Sequence, residues 1–157
     1  MPTRPLKHPS WTHLVPPPFI YSDNSDTSID EDSYLLRIPP GISATDALIK
    51  CISDAGDFPG WFGYNWDALL DCLRDFSWIN KRTIMILHSD LPLVNETKQC
   101  RTYLRILAQA NSDWLQPPRP GAVELWPEEW PFIKHDLRII FPTRAKAAIE
   151  RILSEGK

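Results

Sequence analysis

Cysteine is scarce in this chain, at three in 157 residues. Cys51, Cys72 and Cys100 are odd in number and have no paired spacing, so they make neither a disulfide framework nor a zinc site. They read as buried free thiols of a reducing cytosol. Long apolar runs are also missing. Nothing approaches the ~20 residues that a membrane helix needs, and no apolar region follows Arg4, Lys7 and His8 as it would in a secretory signal. A cytoplasmic location is therefore expected. A basic patch is missing as well. The formal net charge is -3, and Lys81-Arg82 and Arg144 to Lys146 are small charge groups of loops and helix ends. That argues against direct nucleic-acid binding, which needs concentrated positive charge. No internal repeat is visible.

What the chain has is a hydrophobic fraction of 43%, enough for a real core in one domain. It also has sixteen prolines, about twice the usual share. Residues 1–33 read as an irregular Pro-rich arm and a polar linker. Within them, Phe19 to Tyr21 has the makings of a short strand. Residues 34–157 read as the folded domain, with a Pro- and Trp-rich insertion at about 116–136.

Inside that domain, Tyr34 to Pro39 reads as a strand ended by Pro-Pro-Gly. A helix opened by Ser43 or Thr45 follows and stops at Gly56. A second helix starts at Asn65 and is expected to run to about Phe76. Thr83 to His88 is a continuous apolar run, the pattern of a strand covered on both faces of a parallel sheet. A helix capped by Asn95 or Thr97 is expected to reach about Asn111. Leu137 to Phe141 is a third strand, stopped by Pro142, and Thr143 to Glu155 is a terminal helix. Strands separated by helices imply an α/β fold, here a small three-stranded, mostly parallel sheet covered by helices.

The segment from Asp57 to Leu73 is the most informative. Pro59, Gly60 and Gly63 forbid regular structure in its first half. Asn65 is a good N-cap for its second half, where Leu69, Leu70 and Leu73 follow at helical spacing. Asp67 and Asp71 are four residues apart and share one helix face. An aromatic loop thus runs into an acidic helix, a surface suited to recognising something positive. Phe62 or Trp66 is expected in the core and Trp61 at the surface. Gly63 is expected to supply a positive φ.

The run Phe58-Pro59-Gly60-Trp61-Phe62-Gly63-Tyr64-Asn65-Trp66-Asp67-Ala68-Leu69-Leu70-Asp71-Cys72-Leu73 resembles the signature of the barstar family, intracellular inhibitors of a secreted ribonuclease. The coarse element order extends the likeness from Tyr34 to about Phe141. The resemblance implies a barstar-like fold without catalysis or cofactor. It implies an immunity protein, monomeric when free, that occludes the active site of a basic ribonuclease or nuclease toxin. By position, Trp61, Phe62, Gly63, Asn65, Asp67, Leu70 and Asp71 match partner-binding residues, with Asp71 the carboxylate that goes deepest. Gln109 falls where a further acidic residue is expected on the later helix, and Asp113 lies one turn beyond it. Leu70 stands where the type member has tryptophan. A less acidic, more aromatic epitope points to a target other than barnase itself.

Simple chemistry agrees with such a role. A ribonuclease site is lined with Arg, Lys and His, and a carboxylate fixed on a helix accepts bidentate bonds from Arg. Two other classes stay open. One is a metal-assisted hydrolase built on Asp67, Asp71 and a histidine. The other is an adaptor whose barstar-like face binds a non-nuclease partner. His88 and Asp90 form a His-x-Asp pair at a strand end, read as a cap or solvated pair before a metal site. Glu124, Trp126, Glu128, Glu129 and Trp130 form a second acidic-aromatic group, read as a loop pinned by its tryptophans.

Overall fold

The computed structural model describes residues 18–23, 31–115 and 135–155. The expectations for the first seventeen residues and for the Glu124 to Trp130 group lie outside them. The strands are β1 (Phe19–Tyr21), β2 (Ser33–Ile38), β3 (Thr83–His88) and β4 (Asp136–Phe141). The helices are α1 (Thr45–Ala55), α2 (Trp66–Leu73), α3 (Thr97–Leu115) and α4 (Lys146–Glu155), the last preceded by a single 3-10 turn at Thr143–Ala145.

The sheet has four strands in the order β1-β4-β3-β2, and every pairing is parallel. The expected three-stranded sheet is therefore one strand short. The fourth is β1, which docks on β4 with Phe19 opposite Ile139 and Tyr21 opposite Phe141. Phe19 packs edge-on against Phe141 at 5.3 Å, and the pairing continues with Ser22 N–H donating to the Phe141 carbonyl. A three-residue strand carries almost no periodicity, and its partner lies over a hundred residues away in sequence.

The registers align one row of side chains across the sheet: Leu36, Ile86, Ile139 and Phe19, all buried. Period-2 alternation puts Ile38, Ile84, Leu137 and Phe141 on the same face. This face joins apolar residues of all four helices in one core cluster, with Leu48 and Ile52 from α1, Leu69 and Leu73 from α2, Leu104 and Leu107 from α3, and Ile149 and Ile152 from α4. On the other face Met85 and Ile140 are also buried, while Arg37 and Arg138 are exposed. The expected cover on both faces thus holds for the central strands only.

Two helix ends differ from the sequence reading. α2 stops at Leu73 rather than near Phe76, because Phe76 takes φ 45° and turns its ring into the core. A left-handed residue ends an α-helix. α3 continues four residues past Asn111, since nothing from Ser112 to Leu115 breaks a helix. Two side chains fasten this extra turn: Asn111 donates to the Leu137 carbonyl at 2.8 Å, and Trp114 Nε1–H to the Leu73 carbonyl at 2.9 Å.

Cys72 and Cys100 are free and buried, and burial first of all pushes both thiols up to about 11, which leaves them unreactive. Among the described residues no helix is long and apolar enough to cross a membrane.

His88 closes β3 inside the core. Its Nδ1–H donates to the Ile140 carbonyl at 2.9 Å, its Nε2 accepts from the Tyr103 hydroxyl at 2.6 Å, and its ring stacks on Phe141 at 4.0 Å. These partners suit a neutral ring, and burial lowers its pKa from 6.5 to about 4, with the Ile140 bond opposing. Between those values the unfolded chain binds a proton that the folded chain refuses. Stability is therefore full above pH 6.5 and falls as the pH drops towards 4. Urea denaturation at pH 4.5 is expected to give a stability lower than at pH 7 by on the order of 2–3 kcal/mol from this group. A His88→Gln variant is expected to be less stable at pH 7 but flatter with pH; an unchanged slope in that variant would refute the assignment to His88.

Candidate functional site

The segment before α2 is pinned from below by aromatic rings. Phe58 meets Phe62 edge-on at 4.9 Å, Trp78 at 5.6 Å and Phe76 at 6.1 Å. Trp78 Nε1–H donates to the Gly56 carbonyl, which ties this cluster to the end of α1. Gly56 has to be glycine, since an added Cβ would sit 2.7 Å from the Phe58 ring. Phe62 N–H donates to the Pro59 carbonyl at 3.0 Å, closing a turn that holds Gly60 and Trp61 at its tip. Phe62 is buried and Trp61 is 65% exposed.

The next turn is made by Tyr64, at φ 55°. The positive φ expected of Gly63 falls here instead: Gly63 is not left-handed, and a Cβ on it would make only ordinary contacts with Asn65 and Ala68. A bulky residue in this conformation is uncommon, and such strain concentrates at functional positions. The Tyr64 ring leans on Phe62 at 4.8 Å and is still 56% exposed. Tyr64 was missed by the sequence reading. Its type carried no signal there, because the exposed ring follows from the backbone turn and from Phe62 filling the inward place.

Asn65 then starts α2 as expected. Its Oδ1 accepts from the Ala68 N–H at 2.8 Å, and its Nδ2 donates to the Gly63 carbonyl at 3.3 Å. One side chain thus fixes both the helix start and the loop before it. Trp66 faces inward, half-buried, with its Nε1–H donating to Gln99 Oε1 of α3 at 2.8 Å. Leu70 is also half-buried and packs on the core, so it offers a partner only an edge. Asp67 and Asp71 are exposed. Asp67 lies in the first turn of α2, where the helix dipole favours a carboxylate.

Asp71 belongs to a network between α2 and α3. Arg74, at the C-cap of α2, donates to Asp71 Oδ1 at 3.0 Å and to Asp113 Oδ2 at 3.3 Å. Asp113 Oδ1 in turn accepts from Gln109 Nε2 at 2.9 Å. The tertiary structure thus brings Gln109 and Asp113 onto the surface of Asp71, with Arg74 between them. Arg74 was also missed by the sequence reading, because its role exists only once α3 runs on through Asp113. The ion pairs are partly solvated, with 62% of the Asp71 side chain and 45% of Arg74 exposed. Such pairs stabilise a fold by ~0–1 kcal/mol.

The histidines described take no part. His135 is buried with its nitrogens at the Lys81 and Phe76 carbonyls, and His88 is held as above. Asp90 Oδ2 accepts from the Gly41 N–H, so the His-x-Asp pair serves the fold. Among the described residues no group of three or more His, Cys, Asp or Glu could hold a metal ion.

A family model described as barstar (barnase inhibitor) matches residues 39–126, more than half of the chain. The match spans α1, the aromatic loop, α2, β3 and α3, and so contains the whole surface just described. Searches of curated proteins and of solved structures gave no match.

Neighbouring rings of the loop are expected to separate cleanly on mutation. Phe62→Ala should cost about 3–5 kcal/mol of unfolding free energy, as for a buried aromatic, whereas Trp61→Ala should stay within about 0.5 kcal/mol. Chemical denaturation of both variants measures this, and equal losses would mean that Trp61 is packed. Asn65→Ala should cost about 1 kcal/mol through the lost cap.

Proposed function

Since the chain belongs to the barstar family, we propose that it is an inhibitor of a cognate ribonuclease, acting as the cytoplasmic immunity protein against a secreted nuclease toxin. It occludes the nuclease active site with the loop at Trp61 and Tyr64 and with the acidic face of α2. The observation that carries this reading is the exposure of Asp67 and Asp71 on α2 directly after a loop that holds Trp61 and Tyr64 out of the core. A ribonuclease has to bind phosphate and therefore gathers cations in its site. Carboxylates on a rigid helix can stand where phosphates would sit, and opposed fields speed the encounter.

In this reading Asp71 is the central carboxylate and Asp67 a second charge at the helix start. Trp61 and Tyr64 are rigid aromatic anchors of the kind that dominate interfaces. Phe62, Gly63 and Asn65 support the loop. Leu70 and Gln109 border the surface rather than lead it, being half-buried.

Co-expression with candidate secreted ribonucleases tests the proposal. The chain is expected to rescue growth of cells that make its cognate nuclease and to abolish that nuclease's activity in vitro. Asp71→Ala is expected to weaken binding by about 2 kcal/mol, roughly thirtyfold. Undiminished inhibition by Asp71→Ala would remove the central assignment. Capture of only non-nuclease proteins, with no ribonuclease inhibited, would favour an adaptor.

A further inference from the structure

Arg74 is a cation placed inside an otherwise acidic epitope. Its guanidinium lies between Asp71 of α2 and Asp113 of α3 and donates to both. The inner carboxylate oxygen of Asp71 is therefore already occupied by a charge of the sign that a ribonuclease site would offer. The pairing contributes little to holding the fold, because all three side chains are partly solvated. Its weight falls on binding instead, where water is excluded and charges act strongly.

Arg74 cannot be left outside the contact. A partner that covers Asp71 also covers a guanidinium 3.0 Å from it. A guanidinium carries five N–H donors, and two are used among the described residues. The others must find acceptors on the partner or be buried unpaired, which weakens binding. A site lined with cations alone offers none and also repels Arg74. A site that sets a carboxylate or a carbonyl beside its cations satisfies both charges at once.

We infer that Arg74 is a specificity-determining residue, a filter that rejects nucleases whose sites are purely cationic and admits those that carry an acceptor opposite it. This rests on the inhibitor reading and names the class of nuclease that the same surface takes. Specificity by a deliberate like-charge clash is a general device of protein interfaces.

Barnase serves as the probe, as the ribonuclease for which the family is described. Its activity is titrated with the full chain and with Arg74→Gln, Arg74→Lys, and Arg74→Gln combined with Asp71→Ala. Arg74→Gln is expected to inhibit barnase about tenfold more tightly than the unsubstituted chain, or to inhibit where that chain does not. Arg74→Lys keeps the charge and is expected to stay with the unsubstituted chain. The gain should vanish when Asp71 is also replaced, because it comes from freeing that carboxylate. Circular dichroism and thermal melting check that each variant folds. No gain in Arg74→Gln, an equal gain in Arg74→Lys, or a gain that survives the loss of Asp71 each overturns the filter. The inhibitor reading stands or falls separately, on the rescue experiment with the unsubstituted chain.

Discussion

The candidate surface depends on Phe62 being buried under its own loop. Phe62 completes a set of rings with Phe58, Phe76 and Trp78 that ties the end of α1, the loop and the exit of α2 together. With that ring in the core, the turn closed by the Pro59 carbonyl points Trp61 outward. The following residue that must reverse direction is Tyr64, and its left-handed backbone leaves its ring half in water. A loop with two large exposed aromatics would be floppy if it were held only by its ends. Here it is held from the middle.

The sheet supplies the other half of the arrangement. One face of four parallel strands is a continuous apolar row and has to be covered. α2 and α3 meet this demand side by side, and the Trp114 to Leu73 hydrogen bond fixes their contact. That contact sets Asp113 within reach of Arg74, and Arg74 within reach of Asp71. Packing of the core thus decides the charge pattern on the outside. The outcome differs from a simple acidic patch, because the central carboxylate carries its own counter-charge.

His88 shows how a polar residue can end as scaffold. In sequence it stands two residues from Asp90, a spacing that metal and acid–base chemistry also use. In the fold its ring is saturated by Ile140 and Tyr103 and stacked on Phe141, while Asp90 is turned to the Gly41 amide. The two side chains serve different neighbours, and the pair has no common site.

The sequence by itself determined the class of fold, the acidic α2 and its start at Asn65, and the family. These rest on local rules: helical spacing, a cap, Pro and Gly in one short stretch, and a long motif. It also separated Trp61 from the inward rings. Only the tertiary structure decided the fourth strand, because three residues carry no period and β1 finds β4 from the far end of the chain. It likewise decided that Tyr64, not Gly63, takes the strained turn, since that depends on which ring the core has room for. The end of α2 was decided by Phe76 turning inward, and the reach of α3 by what its last turn could bind. The partnership of Asp71 with Arg74, Asp113 and Gln109 is of the same kind. Charges on separate helices have no relation in sequence until packing brings those helices together.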